Sequence, residues 1–372
     1  MAGIYIHIPF CKQACHYCNF HFSTSLKNKG EMVAAILQEL EMQKDYLGGE
    51  PVETIYFGGG TPSLLDRAEL DAFFEVIFKN YPVAAAPEIT LEANPDDLNL
   101  QKIKELRQTP VNRLSIGIQS FSDADLQFMN RAHNSSEAVA CIENAQSQGF
   151  ENLTVDLIYG SPTTTDEQWE KNLETVFQFQ IPHLSCYCLT IEEKTALSHF
   201  VKSGKARPVD EEQAARQFEY LIKQTATAGY EHYEISNFAK PGWHSRHNSS
   251  YWKGNKYLGV GASAHSFNGI SRQWNVANNA KYVQAILAGN IPFEIEILTP
   301  EQRYNEYVMT SLRTIWGCDL NNIAVNFQPY FLKNIAPYLA QEAVEKSGDI
   351  FRLTQKGKLL ADRIAMELFL EN

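Results

Sequence analysis

Residues 3–20 read GIYIHIPFCKQACHYCNF. The first seven, ending at Pro9, have the composition of a strand. The loop that follows carries Cys11, Cys15 and Cys18 in the spacing C-x-x-x-C-x-x-C. On the residues alone three readings stay open. Free cysteines pack in cores as small apolar groups. A structural zinc ion takes four ligands, with His16 or His21 as candidates for the fourth. An iron–sulfur cubane would take one thiolate on each of three irons and leave its fourth iron open.

Outward from this loop, strand-like and helical runs alternate. Strands are expected at Gly3–Pro9, Val52–Phe57, Glu88–Ala93, Arg113–Ser120, Asn152–Gly160 and His183–Thr190. Amphipathic helical runs separate them, the first over Glu31–Leu47. Such alternation means parallel strands joined by right-handed crossovers. Six units predict a barrel-like or open doubly wound α/β sheet, with binding groups at the carboxyl ends of the strands. Beyond Thr190 the pattern loosens into a Gly-, Asn- and aromatic-rich region, Pro241–Trp274. From about Thr299 helical runs and a final strand-then-helix segment predict a small, mainly helical, winged-helix-like unit. The expected division is 1–290 and 291–372.

The 372 residues, 44% hydrophobic and 20% charged, suffice for a sizeable core. The net charge of -12 and the lack of a Lys/Arg cluster argue against nucleic acid. No apolar run approaches the roughly 18 residues of a membrane span, and the amino-terminal residues read as a strand rather than a signal peptide. Seven cysteines, three of them in one loop, are not a secreted disulfide framework. A cytoplasmic, reducing compartment is expected.

The cysteine loop resembles the signature of the radical S-adenosylmethionine (SAM) superfamily. The resemblance implies a [4Fe–4S] cluster on Cys11, Cys15 and Cys18 whose open iron binds SAM. One electron then cleaves the sulfonium to a 5'-deoxyadenosyl radical. The other strand ends fit that expectation. FGGGTPS (57–63) is similar to the glycine motif that grips the methionyl amino group. Glu92 ends the third strand and suits ribose hydroxyls. Gln119 ends the fourth, and Arg131 suits the SAM carboxylate. Asp156 interrupts an apolar strand, where a carboxylate is costly without partners.

The order YIHIPFC, FGGGTP, LEANP, IGIQSF, RAH and DLIYGSP is similar to that of the oxygen-independent coproporphyrinogen III oxidase family and its heme-chaperone branch. This implies a (β/α)6 partial TIM barrel and a SAM site lined by Tyr5, Gly58, Gly59, Gly60, Thr61, Glu92, Gln119, Arg131 and Asp156, with Cys188 and His265 nearby. The oxidase pattern has a further cysteine where this chain has Phe20, and a longer amino-terminal arm; this chain begins ten residues before Cys11. Both departures point to the chaperone and leave oxidase activity in doubt. HNSSYW (247–252) matches the branch's heme motif. It implies heme at His247, Tyr251 and Trp252, with Trp243 as a second flat face and His244 as a rival ligand. Otherwise this is an aromatic loop packed over the barrel mouth. The implied partners are heme, acceptor hemoproteins and an electron donor. A membrane-associated acceptor and a second copy of the chain stay open, and the runner-up activity is oxidative decarboxylation of coproporphyrinogen propionates.

Overall fold

The computed structural model describes residues 2–370. Strands β1 (Ala2–Ile8), β2 (Val52–Gly59), β3 (Val83–Ala93), β4 (Arg113–Gln119), β5 (Leu153–Tyr159) and β6 (His183–Cys188) pair in parallel, in chain order. Helices between them, including Lys29–Met42, Arg67–Asn80, Ser135–Ser147 and Asp166–Gln178, cover the outer face. This is the (β/α)6 arrangement expected. The sheet also continues past both edges. β7 (Glu231–Glu234) and β8 (Asn237–Ala239) extend it antiparallel beyond β6. β9 (Lys256–Val260) lies parallel to β1, and β10 (His265–Phe267), β11 (Ser271–Asn275) and β12 (Phe293–Ile297) follow outward from it.

Alternation along the strands sorts the side chains. Ile4, Ile6 and Ile8 of β1, Ile55 and Phe57 of β2, and Leu153, Val155 and Leu157 of β5 join the core under the helices. The opposite parity, including Tyr5, Tyr56, Glu92, Ser115 and Asp156, lies on the other side of the sheet, inside the barrel. Register fixes two ends. Gly3 pairs with Thr54, and Thr54 with Glu88, at the amino-terminal floor; Ile8 pairs with Gly59 at the carboxyl-terminal mouth.

Local signals place the helices. Asp66 and Glu69 form a capping box at Arg67–Asn80, as do Asn134 and Glu137 at Ser135–Ser147. The first helix ends at Met42, before the expected Leu47. Turns follow it, closed by Gly48 and Gly49 at φ 63° and 76°. A second core gathers Tyr304, Val308, Leu312, Phe331, Ile335, Phe351 and Ile364. It is built from helices and a small antiparallel sheet of β13 (Cys318–Asp319), β14 (Val344–Ser347) and β15 (Ile350–Leu353). No helix among the described residues is long and apolar enough to cross a membrane.

Trp169 is fully buried and its indole N–H donates to the Gln217 carbonyl at 3.0 Å. It joins the Asp166–Gln178 helix to the Glu211–Thr227 helix. Trp169→Ala should therefore lower the unfolding free energy by about 3–5 kcal/mol in urea titration; a loss under about 1 kcal/mol would contradict this packing.

Candidate functional site

The cysteine loop leaves β1 at the mouth and is held from several directions. Cys11 N–H donates to Ser23 O at 3.0 Å, and Ser23 N–H to Pro9 O at 2.9 Å. Gln13 Nε2 donates to Asn130 Oδ1 at 2.9 Å, and Asn130 Nδ2 returns a bond to Ala14 O at 2.7 Å. His16 N–H donates to Met129 O at 3.1 Å, and Leu197 N–H donates to His16 O at 2.8 Å. Lys12 pairs with Asp96 at 2.9 Å and with Asp97, which also accepts from Ser63 Oγ at 2.8 Å. That lysine joins the cysteine loop to the loop after β3, and Asp97 joins both to the glycine loop.

The candidate zinc ligands point elsewhere. His16 Nδ1 lies 2.9 Å from Phe128 O, and His21 Nε2 lies 2.7 Å from Asn279 Oδ1. Among the described residues no three His, Cys, Asp or Glu side chains converge on a single-ion site. The thiols do share an environment. Burial, with Cys18 and Cys15 nearby, pushes Cys11 up to about 11, and burial also raises Cys18. Arg131 reaches Cys15 Sγ at 3.2 Å with one amino group. With the other it reaches Asn94 Oδ1 at 2.6 Å and Gly117 O at 2.8 Å. Its Nε is buried without a partner. Three neighbouring thiols, Cys11 and Cys18 among them raised by burial, suit an iron cluster, whose positive charge strips the thiol protons. An unpartnered guanidinium N–H beside them suits an anionic ligand group.

The glycine run has two reasons to be glycine. Gly59 sits at φ 104°, and a Cβ there would come within 2.5 Å of the His7 ring. A Cβ on Gly60 would lie 2.6 Å from Phe10 O. The run therefore lets β2 close against the root of the cysteine loop. Inside the barrel, Tyr56 OH donates to Glu92 Oε1 at 2.7 Å, and Gly59 N–H lies 3.2 Å from Glu92 Oε2. Tyr5 stacks on Tyr56, and its hydroxyl lies 3.1 Å from His7 Nδ1. Burial raises Glu92 to about 7 and Asp156 to about 6. Asp156 has Ser115 Oγ at 3.5 Å from both its oxygens. Gln119 takes φ 67°, a strained conformation for a residue with a side chain. Thr61 is buried and accepts from Asn94 Nδ2 at 3.1 Å. Asn94 thus joins Thr61 to Arg131. The sequence reading passed it over, although it keeps the inward parity of Glu92 two residues earlier.

Tyr5, Gly58, Gly59 and Glu92 therefore form one contact group, and Thr61, Arg131 and Cys15, joined by Asn94, another. Gln119 adjoins the second, since a Cβ on Gly117 would lie 3.0 Å from Gln119 Nε2 and 3.3 Å from the Arg131 guanidinium. Cys188 stands half-buried at the end of β6, beside Gly160. His265 is exposed on β10 and stacks on Trp274.

HNSSYW is helical, within Arg246–Trp252. Its place differs from the alternative of a loop packed over the mouth: it plugs the floor. Backbone N–H groups of Arg246 and His247 donate to the two Glu88 carboxylate oxygens at 3.0 and 2.9 Å, so an acid closes the helix start. The His247 ring is buried, 4.7 Å from Tyr56, with Nδ1 2.8 Å from Thr54 Oγ1 and Nε2 2.8 Å from Tyr251 OH. Burial lowers it to about 3, so the imidazole is neutral. Trp252 Nε1 is buried without a partner. His244, the rival, faces Glu231 at 2.8 Å and stacks on Tyr233. Trp243 lies apart, in a groove of about 540 Å³ with Phe150 and Lys240.

The Radical SAM superfamily profile matches residues 5–176, and the HemN C-terminal domain profile residues 298–360. The chain is 33% identical to heme chaperone HemW of Bacillus subtilis, over 98% of both chains. The chain belongs to the HemW family of radical SAM proteins. The Mycobacterium tuberculosis HemW is 31% identical over 98% of this chain and 94% of its own. The Escherichia coli HemW is 37% identical over 71% and 69%. Among solved structures, coproporphyrinogen III oxidase (HemN) of Escherichia coli, a radical SAM enzyme, superposes with a TM-score of 0.86. It is 25% identical over 99% of this chain and 90% of its own. Membership implies the [4Fe–4S] cluster and SAM that define the superfamily.

Glu92 gives a test of the barrel interior. Its folded value of about 7 lies above the ordinary 4.5, so the native state binds the extra proton. The stability this contributes is present below about pH 4.5 and lost as pH rises through 7. Glu92→Gln removes the titration. Its stability relative to the parent should rise by on the order of 2–3 kcal/mol between pH 5 and pH 8 in cofactor-free protein. A pH-independent difference would contradict the assigned burial.

Proposed function

We propose that this protein binds heme in the cytoplasm and delivers it to acceptor hemoproteins, with a [4Fe–4S] cluster and SAM as resident cofactors. The observation that carries the reading is the near full-length similarity to proteins named heme chaperone HemW. In this reading the expected boundary at 290/291 moves to Leu298–Thr299, because β12 (Phe293–Ile297) pairs with β11 in the main sheet: the radical SAM core with its extension precedes it and the C-terminal domain follows.

Cys11, Cys15 and Cys18 hold the cluster, and Lys12, paired with Asp96 and Asp97, fixes their loop. Bound there, the cluster supplies an open iron for SAM and a low-potential electron. Tyr5, Gly58, Gly59, Gly60 and Thr61 line the SAM site toward the mouth, Glu92 takes its ribose hydroxyls, and Gln119 and Asp156 complete the lining. Glu92 near pH 7 is both donor and acceptor, which suits hydroxyl groups. Arg131 holds the SAM carboxylate, using the N–H that now lacks a partner. Cys188 and His265 stand at the rim. Heme is held by the floor helix through His247, Tyr251 and Trp252. Its iron takes a ligand once the His247–Tyr251 bond is exchanged. An electron donor would approach a cluster held by Cys11, Cys15 and Cys18 from the mouth.

Decarboxylation of coproporphyrinogen is the weaker reading. Position 20, a cysteine in the oxidase pattern, holds a phenylalanine here, 70% exposed.

Hemin titration of anaerobically reconstituted protein should give a saturable Soret shift at about one heme per chain, lost or altered in His247→Ala. Cys15→Ser should lose the intact cluster and SAM cleavage. No specific hemin uptake, together with efficient conversion of coproporphyrinogen III to protoporphyrinogen, would overturn the chaperone reading.

A further inference from the structure

The floor helix Arg246–Trp252 is covered on its outer side by the C-terminal helical unit. Arg313, at the end of helix Pro300–Leu312, makes the joint. Its Nε lies 3.0 Å from Glu234 Oε1, and Glu234 is 1% exposed. Its Nη1 lies 2.8 Å from Asp362, and its guanidinium lies over the Trp252 ring at 5.5 Å. Backbone bonds flank the ion pair: Ile235 N–H donates to Arg313 O at 3.1 Å, and Ile315 N–H to Tyr233 O at 3.0 Å. Lys253, just past the helix, lies over the Trp316 ring at 4.1 Å.

The two sides keep separate cores. Among the described residues, Ile235 is the side chain packed against both. The joint is thus made of ion pairs, with Arg272–Glu306 at 3.0 Å as a second one, and of ring contacts of Trp316 with Lys253, Tyr233 and His244, and the chain enters the helical unit through the single connection Leu298–Thr299. A body with its own core, joined by one connection and a charged seam, can lift without unmaking either core. A buried ion pair suits such a seam. Its formation offsets heavy desolvation and yields little net stability, yet loss of one partner leaves a buried charge and opens the joint.

We propose that Arg313 is a positioning residue: with Glu234 it latches the C-terminal unit over the floor helix and sets how fast a flat aromatic ligand of the porphyrin class reaches Trp252 and Tyr251. This rests on the reading that the floor helix takes up heme. Closed, the latch leaves Trp252 Nε1 buried and unpartnered, and both His247 nitrogens bonded inside the protein. Open, it bares the tryptophan face and frees that N–H for a polar group of the ligand.

The test compares the parent with Arg313→Ala, Arg313→Lys and Glu234→Gln. Arg363→Ala is the control, because that arginine pairs with Glu367 on an exposed helix face. Hydrogen exchange is followed on peptides covering 246–252 and 304–315, and hemin association by stopped flow. Arg313→Ala and Glu234→Gln should raise exchange in both peptides and speed hemin association, each about tenfold. Arg313→Lys should recover part of the effect and the control none. If Arg313→Ala does not fold, Glu234→Gln, which keeps shape and removes the charge, carries the test. Unchanged exchange overturns the latch, and faster exchange with unchanged hemin association overturns its gating of the ligand. Faster exchange in a protein that takes up no hemin supports the latch and defeats the heme reading alone.

Discussion

Parallel strands force alternate residues of β1 to β6 into the barrel, and in this chain many of those residues are polar. Each polar group taken from water needs a partner, and the interior is built from that requirement. Tyr56 satisfies Glu92, and Thr54 and Tyr251 satisfy His247. Glu88 takes the first N–H groups of the floor helix. Had the inward positions been aliphatic, the barrel would be a packed core with no room for chemistry.

The same constraint divides the molecule into two ends. At the mouth, loops after β1, β2, β3 and β4 meet through Lys12, Asp97, Ser63, Asn94 and Arg131. Charged and amide groups there tie four loops around three thiols, so the thiols stand where a cluster is wanted without a helix to support them. At the floor, a short helix brings an imidazole, a phenol and an indole under the barrel, and the C-terminal unit covers it. Tyr5 and Tyr56 stack between the two ends, at 6.1 Å from each other and 6.5 and 4.7 Å from His247. In the proposed reading, cofactor chemistry and cargo lie at opposite ends of the barrel axis.

Much of this was legible in the sequence, because local patterns fixed it. Six strand runs with amphipathic helical runs between them pointed to the parallel sheet, and the cysteine spacing to the loop that matters. Strand parity alone would have added Asn94 to the site. The direction of HNSSYW was not legible: nothing in those six residues says which end of the barrel they meet, since Glu88 and Thr54, which receive them, are more than 150 positions away. β9 was missed for a similar reason. Five residues, KYLGV, sit in an aromatic- and Gly-rich region, and become a strand by pairing with β1. The contacts that close the C-terminal unit over the floor join residues such as Glu234 and Arg313, whose partnership is a tertiary fact.

The most direct measurement is the distance between the reduced cluster and a copper(II) porphyrin loaded in place of hemin, whose metal the cluster does not reduce, by pulsed dipolar electron paramagnetic resonance on reconstituted protein. The strand from Gly3, beside His247, to Ile8, before the cysteine loop, spans about 17 Å at 3.3 Å per residue. With heme at the floor and the cluster at the mouth, the two spins should lie on the order of 20 Å apart, and His247→Ala should abolish that distance. A separation under about 10 Å, unchanged in His247→Ala, would put heme at the mouth beside the cluster and contradict the account.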